Sequence, residues 1–261
     1  MEKGITIDAL KNGEPLHYKE FNQLVHQAIE DGYTRLKLIN VYGQRFIAAG
    51  VEKKISIDIY GTPGTDLGIF MDGPTINVYG NAEDQTGNTM NSGKIIVHGH
   101  AWDVTGLAAR GGTIFVKQDG GYRIGIHMKE YKDIKPVVIF GGRVKEFFGE
   151  YMAGGILVAL GLHINNKGVT NASGPIVEGS LGSGMHGGTI YIRGKVDKHL
   201  LGTGATSVPF AEADKQLLKP ILAEFCKHFN VPEELIWETE FTKLVPGSSR
   251  PFAGFYSGKP I

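Results

Sequence analysis

One cysteine, Cys226, is all the thiol in the 261 residues, so no intrachain disulfide can staple the fold. Charge of one sign is missing too. The 27 Lys and Arg balance 27 Asp and Glu, leaving none of the basic excess that draws nucleic acid or an anionic membrane. No apolar run approaches the roughly 20 residues that span a bilayer. The opening MEKGITIDALKNGE has no apolar signal-peptide core. A soluble cytoplasmic protein is expected, with neither nucleic acid nor membrane as partner.

Glycine is what the chain has in excess: 38 of 261 residues, about twice the ordinary share of roughly 7%. It is also periodic. Gly43, Gly61, Gly80, Gly99, Gly120, Gly141 and Gly161 recur at intervals of 18 to 21 residues, and each but Gly120 directly closes a short β-rich run such as INVYG or IIVHG. A second column stands at Gly68, Gly87, Gly106, Gly125, Gly149 and Gly182. Three residues after it come Met71, Met90, Met128, Met152 and Met185, with Ala109 in place of methionine after Gly106.

One β run, one glycine turn and one apolar residue every twenty positions describe a solenoid, in which stacked coils share the core that a single coil cannot bury. Glycine inside a strand or helix costs roughly 0.5–1 kcal/mol relative to alanine. Where the backbone needs positive φ the comparison reverses, because other residues lose roughly 1–2 kcal/mol there. Repetition at one phase therefore predicts repeated positive-φ corners. Left-handed hexapeptide helices require strict multiples of six. The drifting interval and a tolerated insertion favour a right-handed parallel β-helix of seven to eight coils, a rod about 35 Å long at roughly 4.8 Å per strand.

The repeat divides the chain into residues 1–35, 36–197 and 198–261. Before it, Ile5 and Ile7 alternate with polar neighbours as a short strand. Phe21, Leu24, Val25, Ala28 and Ile29 then fall at helical spacing, closed by Gly32. A helix there suits the open end of the core. Within the repeat, Leu162 to Val177 is an insertion, of the kind that lies on functional faces. After it, the apolar stripe from Pro209 to Asn230 predicts a helix kinked or broken at Pro220. A short helix runs from Pro232 to Trp237, Phe241 to Val245 reads as a strand, and the tail PGSSRPFAGFYSGKPI as an extended strap. Cys226 reads as inert packing.

Chemistry is hard to find in this pattern. Gly182, Gly184 and Gly187 satisfy G-x-G-x-x-G, but the strand TIYIRG follows where a dinucleotide site needs a helix. GTPGTDLG lacks the Gly-Lys-Ser/Thr ending of a phosphate loop, and no G-x-S-x-G elbow occurs. His98, His100, His127, His163 and His186 have no metal-binding spacing. Glu83, Asp84 and Asp103 sit in coil corners, where solvated carboxylates are more expected than a calcium or acid site. No catalytic, cofactor or metal residue is expected in this chain. The charged corners offer a candidate docking face instead: Arg110, Arg123, His127, Lys129 and Arg143, with Lys145, Glu146 and Glu150.

The alternation in TMNSGKIIVHGHAWDVTG, GYRIGIHMK and FFGEYMAGG resembles the GXGXG repeat domain at the C-terminal end of the large subunit of glutamate synthase, above all its stand-alone form. The same domain forms one of the subunits of formylmethanofuran dehydrogenase. The resemblance covers Leu36 to Asp197 strongly, and the tail FTKLVPGSSRPFAGFY also looks like the stand-alone group. LAARGG in coil four departs from the methionine corner. Coil five keeps its methionine but lacks a double glycine after His127-Met128.

The resemblance implies a right-handed β-helix and a scaffold whose chemistry lies in other chains. These are a glutamine amidotransferase and an FMN-binding, iron–sulfur synthase that aminates 2-oxoglutarate. The β-helix would link them and help wall an ammonia tunnel. A homo-oligomer is compatible with the same picture. Two alternatives are a scaffold like the GXGXG subunit of formylmethanofuran dehydrogenase and an independent polysaccharide-acting β-helix enzyme.

Overall fold

A computed structural model of the chain describes residues 3–247. The strap expected of the tail lies outside the described residues. The chain opens with β1 (Gly4–Asp8), a small hairpin of β2 (Leu10–Lys11) and β3 (Glu14–Pro15), and helix α1 (Tyr18–Glu30). The repeat supplies β4 (Arg35–Tyr42), β5 (Ser56–Thr62), β6 (Asp72–Tyr79), β7 (Ser92–Val97), β8 (Thr113–Val116), β9 (Val137–Phe140) and β10 (Ala153–Ala159). The insertion is a hairpin, β11 (Leu162–Asn165) and β12 (Gly168–Asn171), after which β13 (Gly187–Arg193) resumes the stack. The chain continues through β14 (Ala205–Val208), α2 (Glu212–Phe229), α3 (Glu233–Trp237) and β15 (Phe241–Pro246).

β1, then β4 through β10, then β13 are parallel neighbours in one sheet. β15 then pairs antiparallel with β13, and β14 with β15. Like positions meet from coil to coil: Ile57, Ile76, Ile95 and Ile114 form one inward column. Their spacing is a constant 19 residues, as is that of the side-chain rungs, such as Asn77 Nδ2 donating to Asp58 Oδ1 at 2.8 Å.

The drift expected from the glycines therefore has a specific source. Gly120 pairs with Ala101, which pairs with Ala82, two places beyond the strand-closing column. The residue that answers Gly99 is Gln118, whose amide donates to the Gly99 carbonyl. Two coils exceed the regular turn, at 24 residues between Asp119 and Arg143 and 33 between Lys145 and Glu178. The solenoid makes about six turns, slightly fewer than the seven to eight expected.

The two glycine columns have different causes, which corrects the single reason expected. In the second column every glycine has positive φ, from 63° at Gly182 to 77° at Gly149. Its absent Cβ also leaves room for core atoms: a Cβ on Gly68 would lie 2.8 Å from Met71 Sδ, and one on Gly149 2.5 Å from Ile190 Cδ1. In the strand-closing column only Gly43, Gly61 and Gly161 have positive φ. Gly80, Gly99 and Gly141 have ordinary φ. A side chain there would collide with the carbonyl of the coil behind, that of Gly61, Gly80 or Lys117.

The interior is filled. Met71, Met90, Met128, Met152 and Met185 are all buried, as is Ala109, among Ile, Leu, Val and Phe. At the β1 end α1 buries Phe21, Val25, Ala28 and Ile29 in this core. It is held by Asn22 Nδ2 donating to Arg45 O at 2.7 Å.

A second apolar layer lies on the outer face of the sheet. One outward column reads Lys37, Asp58 and Asn77, then Ile96, Phe115, Ile139, Val158 and Tyr191. Helix α2 covers the apolar half with Leu218, Leu222, Phe225, Cys226 and Phe229. It runs unbroken through Pro220, correcting the alternative of a break there. Pro220 is on the solvent face, where the carbonyl left without a donor can be hydrated, and buried Leu218 and Leu222 anchor both sides. Burial pushes the Cys226 thiol up to about 11, so it is a packing residue.

Candidate functional site

From coil two onward each corner of the solenoid places three residues at positive φ, two apart, with the second-column glycine central; in coil one Ala48 takes that place, between Phe46 and Gly50. In coil five they are Arg123 (55°), Gly125 (71°) and His127 (57°). The outer amides donate forward, Arg123 N to Glu146 O at 3.0 Å and His127 N to Glu150 O at 3.1 Å. Gly125 N donates backward to Thr105 O at 2.8 Å. The alternation satisfies the backbone in both directions along the rod. It also turns the Arg123 and His127 side chains to solvent.

Four of the five basic residues expected at a docking face share this side. Arg123 and His127 flank Gly125, while Arg110 and Lys129 occupy the same place, four residues past the corner glycine, in successive coils. They are not equivalent. Arg123 Nε contacts Glu150 Oε2 at 2.9 Å, and its guanidinium lies over Phe147 at 4.7 Å. His127 stacks on Tyr151 at 5.4 Å. Arg110 and Lys129 are exposed and form no ion pair among the described residues.

Arg143 lies elsewhere, beneath the insertion. Its Nη2 is 3.3 Å from Asp119 Oδ2 and its Nη1 donates to Ser173 O at 3.1 Å. Beside it Lys145 pairs with Glu178 at 2.9 Å. The insertion and coil corner enclose an open cavity of about 320 Å³ lined by Asp119, Arg143, His163, Thr170 and Ser173 among others.

Two of the three corner acids, Asp84 and Asp103, prove to be coil-to-coil staples, while the Glu83 carboxylate has no such bond among the described residues. Asp84 Oδ1 accepts from Asp103 N at 3.0 Å, and Asp103 Oδ1 accepts from Tyr122 N at 2.9 Å. Asp119 does the same for Arg143 N at 2.7 Å, and Asn81 for His100 N at 2.9 Å. Among the described residues no group of three His, Cys, Asp or Glu is placed to hold a metal ion. No helix among them is long and apolar enough to cross a membrane. Gly182 and Gly184 form a positive-φ corner and lead into β13, which leaves the G-x-G-x-x-G match without the helix a pyrophosphate needs.

Two surface features are not evident from residue types alone. Tyr60, Tyr79 and His98 stack in a row on the outer sheet face at 4.7 and 4.8 Å, ending edge-on against Phe229 of α2. A loop at Lys129–Lys135 projects Tyr131 into solvent. The sequence carried signals for both: YG and HG close the consecutive runs IDIYG, INVYG and IIVHG, and Met128 to Val138 is twice as long as Met90 to Ile95.

Stacked parallel coils, a filled interior and a glycine–methionine corner define a β-solenoid protein whose surfaces, not a lumen, are available to other molecules. The chain belongs to the family described by the GXGXG motif, whose model matches residues 34–246 and corresponds to the GXGXG-repeat domain found in glutamate synthase. An uncharacterized protein of Methanocaldococcus jannaschii is 49% identical over 259 residues, covering 97% of this chain and 96% of the relative.

Proposed function

We propose that this chain is a scaffold subunit of a glutamate synthase-like complex, without catalytic groups of its own. Its partners would be a glutamine amidotransferase that releases ammonia and a synthase chain that uses it on 2-oxoglutarate. FMN and an iron–sulfur cluster would reside in the synthase partner. The observation that carries this reading is how the polar groups of the rod are used. Asp84, Asp103, Asp119, Arg123, Arg143 and Lys145 hold neighbouring coils together around a packed interior. What remains for function is a stiff rod with long outer faces, belonging to a glutamate synthase-related family.

The filled interior constrains the ammonia path. With the core methionines and the inward Ile and Val columns buried, a tunnel that this chain helps to wall runs along its outside, between rod and partner. The test is a gentle affinity purification of the full chain from its native host, with co-purifying chains identified by mass spectrometry. An amidotransferase and an FMN synthase chain are expected. Pterin-enzyme and amidohydrolase chains would place the scaffold in formylmethanofuran chemistry instead. Stoichiometric flavin or glutamine-dependent activity in the isolated chain would overturn the reading.

A further inference from the structure

The wall of the solenoid opens at two places. One is the β11–β12 hairpin, which folds back so that Gln118 Nε2 donates to Ile164 O at 2.5 Å. The other is the loop of coil five. Met90 reaches the inward Ile95 in five residues and Met152 reaches Leu157 in five, whereas Met128 takes ten to reach Val138. The extra residues leave the wall at Lys129 and return at Pro136. We infer that this loop is a docking peg, with Tyr131 entering an apolar pocket on a partner protein whose rim is acidic. The inference rests on the scaffold reading and adds where a partner sits and what chemistry it presents.

The loop is held in shape before any partner arrives. Tyr131 N donates to Ile134 O and Ile134 N to Tyr131 O, both at 3.1 Å, with Lys132 between them at φ 54°. Glu130 Oε2 accepts from Gly155 N at 2.9 Å and ties the loop to the next coil. Ile134 rests on the coil behind, its Cγ2 only 2.8 Å from where a Cβ on Gly111 would stand, so the bare glycine is its seat. A preorganised loop gives up little freedom on binding. Yet Tyr131 remains 67% exposed and Ile134 55%. Tyr60 and Tyr79, by contrast, lie flat against one another on the sheet.

Charge selects the occupant. Lys129, Lys132 and Lys135 are exposed around Tyr131, with Arg110 beside the foot of the loop. Of the two carboxylates in the loop, Glu130 is turned to the Gly155 amide, leaving Asp133 alone against the cations. An aromatic anchor ringed by lysines is matched by an apolar pocket ringed by Asp and Glu. Such complementarity sets partner choice and encounter rate.

The test places the photo-cross-linker benzoylphenylalanine at position 131 of the full chain in its host, with position 60 as the control. Cross-linked peptides are mapped by mass spectrometry. The expected result is one partner, joined through a site lined by apolar residues and rimmed by Asp or Glu. The yield should fall about tenfold in Lys132→Glu/Lys135→Glu, equivalent to about 1.4 kcal/mol of binding, while the melting temperature of the free chain stays unchanged. If the partner is the amidotransferase or the synthase chain, both readings stand. If it is another protein joined through such a pocket, the peg stands and the glutamate synthase-like assignment falls. No cross-link at position 131, one indifferent to the charge reversal, or one mapping to a second copy of this chain overturns the peg.

Discussion

The phenol of Tyr191, on β13, donates a 2.7 Å hydrogen bond to Oδ1 of Asp214 in the first turn of α2. The same carboxylate meets Lys243 Nζ of β15 at 2.6 Å and accepts from Ala211 N at 2.8 Å. One buried side chain thus joins the last strand of the solenoid, the antiparallel strand that closes it and the helix laid over its outer face. Burial, and then donation to Asp214, push the Tyr191 phenol up. At Asp214 burial works to raise the carboxyl, but Lys243, Ala211 and Tyr191 outweigh it and hold the group below its ordinary value.

Asp214→Asn should therefore destabilise the fold by about 2 kcal/mol, since it leaves the partly buried Lys243 without its counter-charge and weakens three hydrogen bonds to a charged group. Tyr191→Phe should cost about 1 kcal/mol, the net value of one hydrogen bond. The lowered folded-state pKa of Asp214 also fixes the pH dependence. Its contribution is fully present above the unfolded value of about 3.9 and is lost as pH falls through the folded value. Urea midpoints of wild type and Asp214→Asn should be far apart at neutral pH and converge in acid.

The glycine columns predict three different outcomes for the same substitution. Gly43→Ala meets no atom within 4 Å and suffers only its φ of +79°, a loss of about 1 kcal/mol. Gly87→Ala adds overlap with Ile114 Cδ1, for a further loss of about 1–3 kcal/mol. Trimming that atom in Gly87→Ala/Ile114→Val should recover part of it. Gly80→Ala overlaps the Gly61 carbonyl, and no side-chain trimming should recover it. Denaturant midpoints of the single and double variants separate the three cases.

Ala109 is the one corner of the second column without methionine, and restoring the pattern should harm the protein. Ala109 is buried. Met128 Sδ of the next coil and Val138 Cγ2 lie 3.7 and 3.0 Å from a Cβ placed on Gly106, in the space a local methionine would share. Ala109→Met should overpack the core and lower stability by about 1–3 kcal/mol. A gain in melting temperature would contradict this account.

His98 should make stability fall in mild acid. Burial lowers its pKa, with Lys117 and His228 adding repulsion, and Tyr79 and Phe229 pack on the ring. Lys94 and Glu224, paired with one another, complete the charges at this end of α2. Because the folded pKa is depressed, the unfolded chain takes up the proton first. Stability is full above about 6.5, the unfolded value, and declines as pH drops toward the folded one. His98→Phe should flatten the decline between pH 7 and 5 in thermal melts.

The solenoid was legible because its two demands fall on residue types. A corner at positive φ with no room for a Cβ accepts little but glycine, and a coil that stacks on itself repeats its inward residues. Gly68 and Met71, or Gly87 and Met90, state both demands locally. The period was blurred only where a glycine answered a different need, as Gly120 does beside Ala101. The outer layer was half legible. The apolar stripe of α2 announced a helix with one buried face, while its target was written in the strands, which pass from alternating, as in IDIYG, to continuous, as in VVIF and ILVAL.

Sequence alone determined the repeat, the parallel stacking and the family, since all three depend on interactions between like positions at a constant separation. Tertiary structure decided which charges are used and which are free. Arg123 and Arg143 read like Arg110 and Lys129 in the chain. Only the stacking of coils brings Glu150 to the first and Asp119 to the second, and leaves Arg110 and Lys129 facing solvent. The ion pairs of Arg123, Arg143 and Lys145 join residues 24 to 33 apart, and that distance in sequence becomes contact only through the turn of the solenoid.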